Sequence, residues 1–219
     1  MSDRLLVFVK APRPGAVKTR LAAVLGDDGA ARLYRVLAEE EIRSTAPRAE
    51  EYDRTFFFTP EDARPEIERW LPGEMLEPQQ GRDLGERMSR AFTSAFAAGA
   101  RRVAIIGTDV PSCSREHVRE ALRSLDDHDV VLGPTHDGGY YLIALDRPRP
   151  ALLQAIPWST PSVLPATAER AGVLGLSVRM LDPLRDIDTV DDLKAEWGLV
   201  RRLTAGTPLE ALVSEALVM

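Results

Sequence analysis

Residues 5–9, LLVFV, are five apolar side chains in a row with no polar break. A strand with one wet face alternates apolar and polar residues. An unbroken run of this kind suits a strand buried on both faces, as in parallel sheets covered by helices. The motif returns along the chain as RTFFFT (54–59), RRVAIIGTDVP (101–111), DVVLGP (129–134), YYLIAL (140–145) and LGLSVRML (174–181). Helical patterns lie between these runs. Residues 28–42 space Ala30, Leu33, Val36, Leu37 and Ile42 along one stripe. EDARPEIERW (61–70) carries acidic residues in its first turn, and RDLGERMSRAFTSAFAAGA (82–100) ends with Gly99 at a helix stop. SREHVREALRSL (114–125) has Ser114 as its N-cap, and Thr160 with Pro161 can open a further helix. TVDDLKAEWGLVRRL (189–203) places Thr189 and Asp192 in capping positions. Strand and helix in this order predict a three-layer α/β/α fold around a mostly parallel mixed sheet. No repeat, low-complexity tract or linker interrupts residues 1–219, so one domain is expected.

In such sheets ligands bind beyond the carboxyl ends of the strands. Four polar loops follow strands: KAPRPGAVKTR (10–20), GTDVP (107–111), PTHDGGY (134–140) and PLRDIDT (183–189). The first gathers Lys10, Arg13, Lys18 and Arg20 although the chain has a formal net charge of -6. Backbone N–H groups, a helix N-terminus and full cationic charge together suit an anion, phosphate above all. A solvated basic turn is the plainer alternative. The loop is neither a Walker loop nor a GxGxxG fingerprint. Asp109, at the end of an aliphatic strand, needs a cation or a capping role, and Mg²⁺ suits a carboxylate beside phosphates. Asp186 and Asp188 share a face of an extended segment, where they could hold a metal or face solvent. Asp137, Gly138, Gly139 and Tyr140 read either as a hairpin turn or as a place where substrate approaches the backbone. His136 is a candidate base or a structural histidine, and Trp158 suits packing before a helix. The three histidines and one cysteine have no zinc spacing.

The acidic balance argues against bulk nucleic-acid binding. Cys113 stands alone, which excludes an internal disulfide, and it reads as inert. The apolar run before Lys10 is too short for a membrane span. A cytoplasmic enzyme is expected, with a homodimer among its possible states.

The series VFVKAPRPGAVKTRLAAVLG, QQGRDLGERM, GTDVP, GPTHDGGYYLIAL, IPWSTPSVL and LRDIDTVDDL resembles bacterial transferases similar to 2-phospho-L-lactate guanylyltransferase. These belong to the nucleotide-diphospho-sugar transferase superfamily with the GT-A fold. The resemblance runs from the first strand to the helix after Asp188. It implies that Lys10, Lys18 and Arg20 hold nucleotide phosphates, with Lys18, Arg20 and Asp109 serving catalysis. It implies that Gln80 and Gly81 lie near the base, and that Asp109 and Asp188 bind Mg²⁺ or Mn²⁺. Asp137, Gly138, Gly139 and Tyr140 would then meet the acceptor. DGGY departs from the guanylyltransferase's acceptor region, so phospholactate is not carried over. The implied partners are a nucleotide or nucleotide-sugar donor and a small-molecule acceptor. Two reactions follow. A nucleotidyltransferase joins a nucleoside triphosphate to a phosphorylated or acidic acceptor and releases pyrophosphate. A glycosyltransferase uses a nucleotide-diphospho-sugar, with its metal normally held by DxD after a central strand. Here that position reads Thr108-Asp109-Val110, and the literal DxD, Asp186 to Asp188, lies near the end. This and the cationic first loop favour nucleotidyl transfer. A non-catalytic nucleotide-binding protein ranks last.

Overall fold

The first apolar run forms β1 (Arg4–Lys10), and its alternate side chains enter different cores. Leu5, Val7 and Val9 point to one face of the sheet, Leu6 and Phe8 to the other. The lack of polar alternation is thereby explained, since both faces are covered. The computed structural model describes residues 2–49 and 51–217.

After β1 come α1 (Thr19–Ser44), β2 (Asp53–Thr59), a 3₁₀ turn (Glu61–Ala63) and α2 (Arg64–Trp70). Then follow β3 (Leu76–Pro78), α3 (Leu84–Ala97), β4 (Val103–Ile106), α4 (Arg115–Ser124), β5 (Val130–Pro134) and β6 (Tyr140–Leu145). A 3₁₀ turn (Pro150–Leu153), α5 (Val163–Val173), β7 (Val178–Met180), α6 (Val190–Ala195), α7 (Trp197–Thr204) and α8 (Pro208–Ala216) complete the order. The seven strands form one sheet in the order β3-β2-β1-β4-β6-β5-β7. Its pairings are parallel except where β6 meets β4 and β5. Three layers around a mostly parallel mixed sheet are therefore as expected.

The reversal of β6 shapes the site. It returns the start of β6, at Tyr140, to the edge of the sheet where β1, β4 and β5 end. The 134–140 turn thus joins the loops after β1 and β4 at one rim. Ile42, Ile67, Val118 and Leu122 pack α1, α2 and α4 on one face, while Met88, Phe92 and Ala171 pack α3 and α5 on the other.

Helix α1 is buried on more than one side. Tyr34 and Ala38 share a small cluster with Val17, and Leu21, Leu25, Leu33 and Leu37 pack beneath Leu193, Val200, Leu209 and Val213 of α6, α7 and α8. A kink at Gly26, whose φ of 68° suits glycine, divides the helix.

Several boundaries differ from the sequence expectation. The helix anticipated from Thr160 and Pro161 begins at Val163 behind Ser162. Thr160 instead donates to the Pro157 carbonyl and accepts from the Ser162 N–H, which shapes the turn before the helix. The 189–203 helix breaks at Glu196, where φ is -99° and ψ 17°. Its start is as expected, since Thr189 and Asp192 form a reciprocal capping box. Strand β3 and helix α8 had no sequence expectation. Among the described residues, no helix is long and apolar enough to cross a membrane.

Candidate active site

The four cations of the first loop have separate surroundings. Arg13 folds back onto α2 and the 3₁₀ turn before it, with Nη2 2.7 Å from Glu66 and Nη1 3.2 Å from Asp62. Lys10 and Arg20 are exposed and line adjoining cavities. Lys18 is buried. It precedes α1 in the left-handed region, with φ 48° and ψ 42°, a conformation costing a residue with a Cβ about 1–2 kcal/mol. Its side chain is 1% exposed, and Nζ lies 2.5 Å from Asp109 and 3.2 Å from Asp188. Lys18, expected to hold nucleotide phosphates, has its ammonium enclosed between the two aspartates.

Those aspartates are far apart in sequence and are joined by backbone as well. The Ile187 N–H donates to the Asp109 carbonyl at 3.1 Å. Ile187 is itself buried in the cluster formed with α1 and the C-terminal helices. Asp186 and Asp188 flank it and both line the cleft, as alternation along an extended chain requires. Helix α1 braces the Asp109 loop from below. The Tyr34 hydroxyl accepts from the Lys10 N–H and pairs with Thr108 Oγ1, both at 2.9 Å. One turn-pair further on, Glu41 Oε2 accepts from the Val110 N–H at 2.8 Å.

Charge follows this geometry. Burial works against the Lys18 ammonium, but the charges of Asp109 and Asp188 outweigh it and hold its proton affinity above the ordinary value. The depth of the cleft opposes ionisation of Asp109, yet Lys18, and more weakly Lys10, hold its carboxyl below the usual range. Asp186 goes the other way: burial, then the charge of Asp137, push it up to about 6.

Two cavities of about 420 and 450 Å³ share Leu84, Gly107, Asp109, Tyr140, Tyr141 and Ser159, so Asp109 sits at the waist of one cleft. The first half adds Lys10, Gln79, Asp83 and Arg87. The second adds Arg20, Asp137, Gly139, Trp158, Asp186 and Asp188. Two expectations need correction. Gln80 is exposed and Gly81 packs against Arg87, and neither lines the cleft; their neighbour Gln79 does, with its amide donating to the Phe57 carbonyl at 2.8 Å. Gly138, with φ of 92°, lies against Pro161, whose carbonyl oxygen would be 2.1 Å from an added Cβ. Its role is close packing of two loops, whereas Asp137, Gly139 and Tyr140 do line the cleft. Asp137 Oδ1 accepts from the Gly139 N–H and the Thr135 hydroxyl, so the turn reading holds for it too. His136 is exposed and lines neither half, and Cys113 is fully buried.

Sequence reasoning passed over Tyr34, Glu41, Gln79 and Arg87. The signal for Tyr34 and Glu41 was phase, since seven residues place both on one face of a helix. Trp158 was read only as packing; its ring meets Tyr140 edge-on at 6.5 Å while it also lines the cleft.

The family model described as "Uncharacterized protein conserved in bacteria (DUF2064)" matches residues 42–160. The chain belongs to this family. A crystal structure from Desulfovibrio desulfuricans G20, provisionally assigned as a nucleotide-diphospho-sugar transferase, is 36% identical over 98% of this chain and 95% of its own, with a TM-score of 0.84. The 4-diphosphocytidyl-2C-methyl-D-erythritol synthase of Anaerococcus prevotii is 11% identical over 91% of this chain and 99% of its own, with a TM-score of 0.56. The inositol-1-phosphate CTP transferase of T. maritima is 15% identical over 94% and 98%, with a TM-score of 0.54. The first likeness shows a nucleotide-diphospho-sugar transferase-like fold, and the last two share that fold alone. No curated protein matches the chain. The likeness to the guanylyltransferase rests on the motifs alone.

Two outcomes follow from the site's electrostatics. Lys18→Ala should lower stability by about 1–3 kcal/mol, the scale of lost charge-assisted hydrogen bonds, whereas Arg20→Ala, exposed and without a protein partner among the described residues, should stay within about 0.5 kcal/mol of the parent. Denaturant melts of both variants check this. The raised Asp186 sets a pH dependence. With an ordinary value of 3.8 and a folded value of about 6, the folded state holds the extra proton between them. Its stabilising effect is full below about 4 and lost as pH rises through 6. Asp186→Asn should therefore raise Tm at pH 7.5 in EDTA and give no comparable gain at pH 4. A scan of both proteins at the two pH values reads the difference.

Proposed function

We propose that this protein is a metal-dependent nucleotidyltransferase that joins a nucleoside triphosphate to a small acceptor with release of pyrophosphate. The observation that carries the reading is the waist of the cleft. There two partly exposed aspartates from distant loops meet on one buried lysine, with Lys10 on one side and Arg20 on the other. The likeness to two cytidylyl-transferring proteins in fold supports it.

The donor set suits a hard divalent ion. Asp109 and Asp188 each give Oδ1 to Lys18, and their second oxygens have no protein partner among the described residues. Mg²⁺ takes one or two protein carboxylates and completes its shell with water and phosphate oxygens. Among the described residues no three His, Cys, Asp or Glu side chains are grouped to hold a metal. The ion is therefore expected to arrive with the nucleotide. Asp109 and Asp188 would hold Mg²⁺ or Mn²⁺, which would supply positive charge at the reacting phosphates.

The chain's own residues do the rest. Lys18 fixes the spacing of the two carboxylates, while Lys10 and Arg20 face the phosphates and balance charge on the leaving pyrophosphate. Leu84, Tyr140 and Trp158 wall the acceptor half, and Asp137 and Asp186 offer oxygens to its polar groups. An acceptor oxygen bonds to the α-phosphorus as the α–β anhydride bond breaks. Positioning and electrostatics suffice for this, with no side-chain nucleophile.

Glycosyl transfer is the second reading, and a specific observation favours it. Two of the four loop cations are paired internally, and the acceptor half carries Asp109, Asp137, Asp186 and Asp188 against Arg20 alone. Such a lining suits acceptor hydroxyls better than an acidic acceptor. The readings differ in product. Protein, Mn²⁺ and an acceptor pool are incubated with nucleoside triphosphates or with sugar nucleotides, and pyrophosphate and nucleoside diphosphate are measured side by side. Pyrophosphate release, reduced at least about a hundredfold by Asp109→Ala, is expected. Nucleoside diphosphate from a sugar nucleotide, with no pyrophosphate from any triphosphate, selects glycosyl transfer.

A further inference from the structure

Glu41 is fully buried in the last turn of α1, between Leu37, Ala38 and Ile42, where helical phase calls for an apolar residue. Its Oε2 accepts from the Val110 N–H at 2.8 Å, and Oε1 has no partner. An isolated buried carboxyl is an expensive way to fill a core position. A leucine or methionine would fit the same helix at lower cost. What Glu41 touches is the residue after Asp109. The Asp109 side chain is held by Lys18, its carbonyl by the Ile187 N–H, and Thr108 by Tyr34. At Val110 the carbonyl accepts from the Cys113 N–H at 2.9 Å, and the N–H is a further buried tether of this turn, with Glu41 as its acceptor.

We propose that Glu41 is a positioning residue: its carboxyl oxygen, presented from α1 through the core, fixes the backbone at Val110 and so aims the Asp109 carboxylate at the waist of the cleft. This rests on the reading of Asp109 as the residue that meets metal and phosphate. Burial, with the charge of Asp109 added, pushes Glu41 well above the usual carboxylate range and favours its neutral form. A neutral carboxyl and a glutamine amide share shape and acceptor oxygen. Glutamine should therefore replace Glu41 in this role, and leucine should not.

The test compares wild type, Glu41→Gln and Glu41→Leu as full chains at a temperature well below their melting points. The first measurement is amide hydrogen exchange in metal-free protein. In wild type and Glu41→Gln the Val110 amide should be protected; in Glu41→Leu it should exchange at least about tenfold faster relative to the Ile106 amide, which serves as the core reference. The second is calorimetric binding of the Mn²⁺ complex of inorganic tripolyphosphate, a probe without a base. Glu41→Gln should bind within about threefold of wild type, and Glu41→Leu about 10–100-fold more weakly, as for other residues that orient a metal ligand. Equal acceleration at Val110 and Ile106 would mark a general loosening and overturn the proposal. So would tight binding by folded Glu41→Leu, or weak binding by Glu41→Gln with Val110 still protected. If Glu41→Leu does not fold, rapid exchange at Val110 in wild type itself overturns it. A wild-type protein that binds no Mn²⁺–tripolyphosphate refutes the metal reading of Asp109 instead, and the exchange measurement still decides whether Glu41 tethers the turn.

Discussion

The Lys18 ammonium ties together charged side chains from three distant parts of the chain. Lys18 opens α1, Asp109 follows β4, and Asp188 precedes α6, yet Nζ lies within 3.2 Å of both carboxylates. Two carboxylates this close repel unless a cation stands between them. The lysine is that cation in the protein alone. Both aspartates line the cleft, and the second oxygen of each has no protein partner among the described residues, so the same pair can stay close before a substrate arrives. Ion pairs at the surface contribute little, but this ammonium is 1% exposed and weakly screened.

The layers of the fold make this meeting possible. Strands β1 and β4 are adjacent and parallel, which brings the loops after them to one rim. The C-terminal helices pack on the far side of α1 through Leu209 and Val213. They carry the 186–188 segment with them, because Ile187 is buried in the same cluster. Helix α1 is thus the shared wall between the sheet and the C-terminal layer. From its sheet side Tyr34 meets the Thr108 hydroxyl and Glu41 the Val110 N–H of the Asp109 loop. A helix usually shows one apolar stripe; this one is buried on several sides and carries two polar groups inward.

Much of this was legible in residues. Unbroken runs such as LLVFV reveal strands covered on both faces, and Ser114, Thr189 and Gly99 mark helix ends because caps act locally. Asp109 was legible because a carboxylate at the end of an apolar run needs a partner, whereas Asp188 stood out by its spacing from Asp186 and by the family resemblance. The partner itself was not legible. Four basic residues in one loop look alike in sequence, and only the fold gives Arg13 to α2, Lys18 to the aspartates, and Lys10 and Arg20 to the cleft. Glu41 was hidden in the run Glu39-Glu40-Glu41, which reads as a solvated face until phase on the helix separates the buried member from the others. Gln79, directly after the short strand β3, lines the cleft, while Gln80 and Gly81, one and two positions further on, do not.

The central claim is that Asp109 and Asp188 together meet a metal that comes with a nucleotide. Calorimetric titration of the protein with each of the four ribonucleoside triphosphates, in Mg²⁺ and again in EDTA, tests it most directly. At least one triphosphate should bind in Mg²⁺, lose that binding in EDTA, and lose it in Mg²⁺ when both aspartates are changed to asparagine. Equal affinity in Mg²⁺ and EDTA, or full affinity in the folded double variant, would contradict the account.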